Sequence, residues 1–144
     1  MDRSPGCVFH YPYWWRSDAR RGIENPKNRT TTLAIARKTE TREGAVLTHL
    51  FLLGITDNPG DSRGAVEIPL IEKRRAGLDP MRAAFVVITE YNYDVLPLSH
   101  DYDPRSKTFG AFSSVFTEEV RLRFLRAVKN GIAFRVEKIS PKSG

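Results

Sequence analysis

The chain has 144 residues, of which 40% are hydrophobic and 28% are charged, and its 23 Lys and Arg residues outnumber its 17 Asp and Glu residues. This length and composition are typical of one globular domain, so we expect residues 1–144 to form a single domain. The formal net charge of +6 favours a polyanionic partner such as a nucleic acid.

Several other classes of protein are disfavoured. The longest nearly apolar stretch, residues 45–55, contains Thr48 and His49 and falls short of the roughly 20 residues that a membrane span requires. The first residues include two charges and lack the smooth apolar run of a secretory signal. Cys7 is the only cysteine, which excludes an internal disulfide and a Cys-based zinc cluster and is typical of a reducing cytoplasm.

Apolar and β-branched runs predict a chain made mostly of strands. The first strand, at residues 7–15, begins with Val8 and Phe9 and contains Pro12, which is typical of a strand edge or bulge. Similar runs predict strands at residues 30–37, 45–55, 65–68, 83–89, 91–98 and 132–136. Because Gly44 marks a turn between residues 30–37 and 45–55, these two strands are expected to pair as a hairpin.

Two helices are predicted. The shorter one, residues 69–76, starts at a proline and is followed by Gly77. The clearer one is residues 117–129, where Thr117 is the expected N-cap and apolar residues recur at i, i+4, i+7 and i+8. Many short strands with one late helix predict a mainly β (α+β) fold, built as a small curled sheet or partial barrel.

Residues 16–29 are polar and are predicted to form a long basic loop, which is uncommon in a compact domain unless it serves a function. The loop follows aromatic residues, and aromatic rings beside cations are typical of surfaces that stack the bases of single-stranded nucleic acid. The alternative is that these rings pack in the core, and we expect one face of the strand to do so. The residues predicted to contact RNA are Tyr13, Trp15, Arg16, Arg20, Arg21 and Lys27.

Arg29 and Thr56 are the candidate catalytic residues. Arg29 precedes the strand at residues 30–37, Thr56 follows the strand at residues 45–55, and a hairpin would bring both near one edge of the sheet. An Arg fork with a neighbouring hydroxyl donor can hold a phosphate. The structural alternatives are a solvated strand start for Arg29 and a turn entrance for Thr56.

No metal site and no cofactor are expected. The three histidines lie on separate elements without His-x-x-x-His spacing or a cysteine partner. The sequence also lacks the glycine-rich phosphate-binding loops and the Gly-x-Ser-x-Gly elbow. Metal, nucleotide-cofactor and serine-hydrolase chemistry therefore have no motif to support them.

Taken together, short motifs over residues 6–136 resemble the MazF/PemK-like toxins of bacterial toxin–antitoxin systems. The points of similarity, in chain order, are residues 6–9 (GCVF), 27–29 (KNR), 54–56 (GIT), 65–69 (AVEIP), 73–79 (KRRAGLD) and 89–92 (TEYN), followed by the helix at residues 117–129. The resemblance implies an SH3-like β-barrel with a C-terminal α-helix, usually a homodimer, that acts as a metal-independent endoribonuclease and is opposed by an antitoxin protein.

In that family, residues at the positions of Arg29 and Thr56 serve the scissile phosphate. The 2′-hydroxyl of single-stranded RNA would attack the adjacent phosphorus while the protein positions the strand and stabilises charge. The sequence departs from the family pattern, with Thr30 after Arg29 in place of a proline, Cys7 in place of an aspartate, and Asp57 in place of a histidine. Two alternatives therefore stay open, a catalytically silent barrel that binds nucleic acid or an antitoxin-like partner, and a purely structural domain.

Overall fold

A computed structural model describes residues 3–22, 28–60 and 64–137, and the fold is mainly β with one long C-terminal helix, as predicted. The strands are β1 (Cys7–Tyr11), β2 (Arg29–Glu40), β3 (Val46–Thr56), β4 (Ala65–Glu67), β5 (Phe85–Val87), β6 (Glu90–Leu96), β7 (Thr108–Ala111) and β8 (Phe134–Arg135). The helices are α1 (Arg16–Arg20), α2 (Leu70–Arg75) and α3 (Ser114–Lys129).

The strands form one sheet in the order β4-β5-β3-β2-β1-β7, and β6 pairs with β3 beside β5. All of these pairs are antiparallel, whereas β8 pairs with β6 in parallel. The path of hydrogen-bonded strands is open within the described ranges, with β4 and β7 at its ends. The closed SH3-like barrel that the resemblance implies is therefore not seen there.

The predicted hairpin is confirmed, and its strands are longer than the apolar runs. β2 and β3 pair from Glu40 opposite Val46 at the turn to Thr31 opposite Gly54 at the far end. Gly44 closes the turn with a φ of 83°, a left-handed conformation that favours glycine. The polar residues at the end of β2 stay in the ladder because pairing satisfies their backbone groups whatever their side chains are.

Alternation along the strands divides the core between the two faces of the sheet. Val8 and Leu53 pack with Phe124 of α3 on one face. Their neighbours Phe9 and Leu52 point to the other face, where Tyr13 joins them. The strands that cross both clusters are therefore apolar on successive residues, which explains their nearly continuous hydrophobic runs.

The ends of several elements differ from the predictions. Helix α3 starts three residues early, because Ser113 is its N-cap and accepts a hydrogen bond from the Phe116 amide at 3.2 Å. Thr117 lies inside the helix, so its prediction as the N-cap is wrong. The first strand ends at Tyr11 rather than at residue 15, consistent with the restriction that Pro12 imposes. Residues 16–20 of the predicted loop form the short helix α1.

Candidate functional site

A groove of about 830 Å³ opens where α1, the end of β3 and the start of β6 meet β8. Its wall combines aromatic, cationic, hydroxyl and carboxylate groups. The members with functional chemistry are Trp15, Arg16, Arg20, Thr56, Glu90 and Phe134. Four of these six were predicted as site residues, while Glu90 and Phe134 come from the second half of the chain.

Trp15 reaches the groove because the segment before it is anchored to β6. The side-chain amide of Asn92, which is fully buried, exchanges two hydrogen bonds of 2.8 Å with the backbone of Trp14. The Trp15 ring then lies against Gly54, where a Cβ atom would stand 2.6 Å from Cζ2 of the indole. Glycine at this position therefore makes room for the aromatic wall of the groove.

Arg16 and Arg20 place two cations on the wall from one face of α1. The Arg16 guanidinium lies 5.5 Å from the centre of the Phe134 ring, within the range of a cation–π contact. The backbone amide of Arg16 donates a hydrogen bond to Oε2 of Glu90 at 3.0 Å. Both arginine side chains are exposed, so they are available to a phosphate group.

Glu90 is the titratable group of the groove. Burial raises the pKa of the Glu90 carboxyl above its usual range, and the hydrogen bond from the Arg16 amide and the charge on Arg16 oppose this shift only in part. A raised pKa lies closer to neutral pH. A carboxyl group exchanges protons most efficiently when its pKa is near the pH of the reaction. Glu90 belongs to the 89–92 (TEYN) motif of the family resemblance, but no role was predicted for it because its partial burial beside α1 depends on contacts between segments far apart in the chain.

Thr56 lies on the groove wall, and its hydroxyl is part of a local turn. Oγ1 of Thr56 accepts from the Asn58 amide and donates to the Asn58 carbonyl, both at 3.2 Å. This is the turn entrance that was the structural alternative for Thr56. Asp57 points away toward Arg82 at 3.7 Å, so its carboxylate does not line the groove.

Arg29 does not line the groove. Its guanidinium forms an ion pair with Asp18, which is buried in α1, and donates to the Tyr13 carbonyl at 2.8 Å. The register of β2 and β3 brings Arg29 to the same end of the hairpin as Thr56. The predicted clamp of Arg29 and Thr56 is nevertheless not assembled, because Asp18 occupies the Arg29 guanidinium.

The other residues that were predicted to contact RNA differ in burial and in their position relative to the groove. The Tyr13 ring is fully buried, so its prediction as a base-stacking residue is wrong, and the core alternative holds for this ring. Trp15 is half-buried, and its ring contacts the Tyr13 ring edge to face, with the ring centroids 4.9 Å apart. Arg21 is exposed but outside the groove wall, and Lys27 lies outside the described residues.

Searches for similar proteins give no support for a family. Comparisons with family models, characterised proteins and solved structures produced no match to this chain. Within residues 3–22, 28–60 and 64–137, no cluster of three or more His, Cys, Asp or Glu side chains is placed to hold a metal ion. The same ranges contain no helix that is long and apolar enough to cross a membrane.

Proposed function

We propose that this chain is a toxin-like, metal-independent endoribonuclease that cleaves single-stranded RNA. The observation that carries the proposal is the groove in which Arg16 and Arg20 face Glu90, whose pKa is raised by burial. Cations to hold a phosphate, aromatic rings to stack bases and a carboxyl group to move a proton are what RNA cleavage by the neighbouring 2′-hydroxyl requires.

In the proposed reaction, the Glu90 carboxylate takes the proton of the 2′-hydroxyl as its oxygen attacks the adjacent phosphorus. The bond from phosphorus to the 5′-oxygen breaks, which yields a 2′,3′-cyclic phosphate and a 5′-hydroxyl end. Arg16 and Arg20 stabilise the charge that builds up on the phosphorane oxygens. The 5′-oxygen takes up a proton as it leaves, and protonated Glu90 or water supplies it.

Thr56 and Arg29 have revised parts in this proposal. Thr56 would donate to a phosphate oxygen only after its hydroxyl turns away from the Asn58 carbonyl. Arg29 holds α1 through Asp18 and so positions Arg16 and Arg20, which lie on the same helix. Its contribution is then to the shape of the groove, unless RNA displaces Asp18.

A second candidate, RNA binding without cleavage, is favoured by one specific observation. The guanidinium that family resemblance assigns to the scissile phosphate already carries the Asp18 carboxylate as its partner. Without a contribution from that cation, the groove still holds two exposed arginines and two aromatic rings, which suffice for binding a single strand.

Glu90→Gln distinguishes the two candidates. Cleavage of a labelled single-stranded RNA is measured with a chelator present, and the cyclic phosphate product is identified by mass spectrometry. The rate of cleavage should fall about a hundredfold or more in the variant. Binding of the same RNA should persist, and the exposed Glu118→Gln on α3 should leave both unchanged. Cleavage that survives Glu90→Gln excludes this carboxyl as the proton acceptor. Binding by the unsubstituted protein with no product at all establishes the second candidate.

The family resemblance extends the proposal beyond the groove. It assigns an antitoxin protein as a partner, a homodimeric assembly and the SH3-like closure of the sheet, while the cytoplasmic location is proposed from the single cysteine. Co-expression with a neighbouring gene product that relieves growth arrest would test the first of these. Size-exclusion chromatography with light scattering would test the second.

A further inference from the structure

A second aromatic surface lies on the face of the sheet that also carries α3. Tyr93 of β6 and His49 of β3 are within 22° of parallel, with ring centroids 5.9 Å apart. A hydrogen bond of 2.5 Å joins the Tyr93 hydroxyl to Nδ1 of His49, and Thr39 contacts Nε2 of the same ring at 2.7 Å. The two rings are therefore held in a fixed orientation as one roughly flat, half-exposed surface, which we call the Tyr93–His49 platform.

Two arginine side chains, those of Arg135 and Arg37, lie beside this platform. The Arg135 guanidinium lies 4.6 Å from the centre of the Tyr93 ring. Arg37 is exposed and stands directly opposite His49 in the β2–β3 ladder, on the same face of the sheet. Arg135 also approaches Glu137, but at 3.7 Å and with both side chains largely exposed, so this pair holds the guanidinium only weakly.

A hollow beside the groove extends as far as Arg135, the residue that covers the Tyr93 ring. It has a volume of about 340 Å³, and Arg16, Arg20 and Phe134 line it as they line the groove. Arg135 lines the hollow as well, and its guanidinium reaches over Tyr93. Because successive residues of a strand point to opposite sides, β8 presents Phe134 to the groove and Arg135 to the platform.

We propose that a single RNA strand leaves the groove across β8 and stacks a base on the Tyr93–His49 platform. This inference rests on the proposed function, since it extends the same RNA site. Arg135 would move from the ring face to a phosphate, and Arg37 would meet the phosphate beyond it. The protein would then contact a strand several nucleotides longer than the one the groove alone accommodates.

RNA fits this surface better than another protein does. Arginine beside flat rings favours the planar bases and phosphates of a single strand, whereas the core of a protein interface is depleted in charge. Arg135 also links the platform to the hollow beside the groove, which carries two further arginines. A second copy of the chain with this same basic surface would bring like charges together.

The test compares RNA of two lengths, with 2′-O-methyl groups so that binding is measured without cleavage. Tyr93→Leu should weaken the binding of an oligonucleotide of about ten nucleotides by about tenfold, measured by fluorescence anisotropy. Binding of a dinucleotide, followed by NMR, should be unchanged because it occupies the groove alone. Tyr93→Phe keeps the ring and should bind the long oligonucleotide nearly as the parent does.

A second experiment tests the contact between Arg135 and a phosphate. For the long oligonucleotide, Arg135→Gln should make the slope of the logarithm of the binding constant against the logarithm of the salt concentration shallower by about 0.7. The exposed Arg105→Gln serves as the charge-matched control.

Equal loss for both lengths, or no loss for either, would overturn the platform. A change in oligomeric state on Tyr93→Leu, with RNA binding unaltered, would instead identify the face as an interface between copies of the chain and would also overturn it. Should Tyr93→Leu fail to fold, the Arg135→Gln salt slope decides alone. Because the RNA cannot be cleaved, failure of the ribonuclease activity is seen separately, in the Glu90→Gln experiment.

Discussion

Arg29 at the start of β2 and Asp18 in α1 form an ion pair in which the Asp18 side chain is only 8% exposed and that of Arg29 28%. Asp18 also accepts a hydrogen bond from the Trp15 amide at 2.9 Å. A single carboxylate thus joins α1, the aromatic segment and the hairpin. The position of the groove wall depends on this connection, because Arg16 and Arg20 lie on the same short helix as Asp18.

Asp18→Asn should release the Arg29 guanidinium from its charged partner. Loss of this charge-assisted contact should lower the free energy of unfolding by about 1.5–3 kcal/mol, measured by urea denaturation. Where the fold persists, the freed cation should tighten the binding of single-stranded RNA. The slope of the logarithm of the binding constant against the logarithm of the salt concentration should also become steeper by about 0.7. Asp57→Asn, which alters an exposed and longer pair, is the matched control. An unchanged salt slope with a folded variant would show that Arg29 does not reach RNA even when it is free.

Glu90 should make the stability of the protein depend on pH. Since burial raises the folded-state pKa of Glu90 above its value in the unfolded chain, folding takes up a proton there. The corresponding stabilisation is complete below the unfolded-state pKa and is lost as pH rises through the folded-state pKa. Relative to the parent, Glu90→Gln should therefore gain stability in urea titrations as the pH rises from the ordinary pKa of a glutamate through the raised folded-state pKa of Glu90. A difference that stays constant over this interval would contradict the raised pKa, and Glu118→Gln should show no such trend.

The same carboxyl sets the expected pH dependence of cleavage. A general base works only when ionised, so the rate should rise with pH through the raised pKa of Glu90 and then level off. Initial rates on a labelled RNA across this range would give the profile. A rate that falls with increasing pH over the same interval would assign Glu90 the role of an acid instead.

Gly54→Ala should displace Trp15 from the groove wall. A methyl group at this position overlaps the indole, 2.6 Å from Cζ2, and the crowding should cost about 1–3 kcal/mol of stability. A shift in tryptophan fluorescence should accompany weaker RNA binding. The second-site change Trp15→Leu should recover part of the lost stability by making room for the methyl group. If Gly54→Ala leaves both fluorescence and stability unaltered, the indole does not lie against Gly54 in solution.

Local patterns were sufficient for the elements whose partners are close in sequence. The hairpin of β2 and β3 could be predicted because its two apolar runs flank a short turn with a glycine at Gly44. Helix α3 could be predicted because its apolar residues repeat with the period of a helix, although Ser113 rather than Thr117 caps it. Helix α1 was missed because it has five residues and too few turns to show a repeat.

The amino-acid sequence by itself determined a mainly β chain with a C-terminal helix, an excess of positive charge and the membership of Trp15, Arg16, Arg20 and Thr56 in a candidate site. Only the tertiary structure decided which groups face one another. Glu90 reaches the groove through β6, whereas Arg29 turns to Asp18 and Tyr13 turns into the core. The physical reason is that propensity and periodicity act between near neighbours in the chain, while ion pairing and burial depend on contacts that only the packed fold creates.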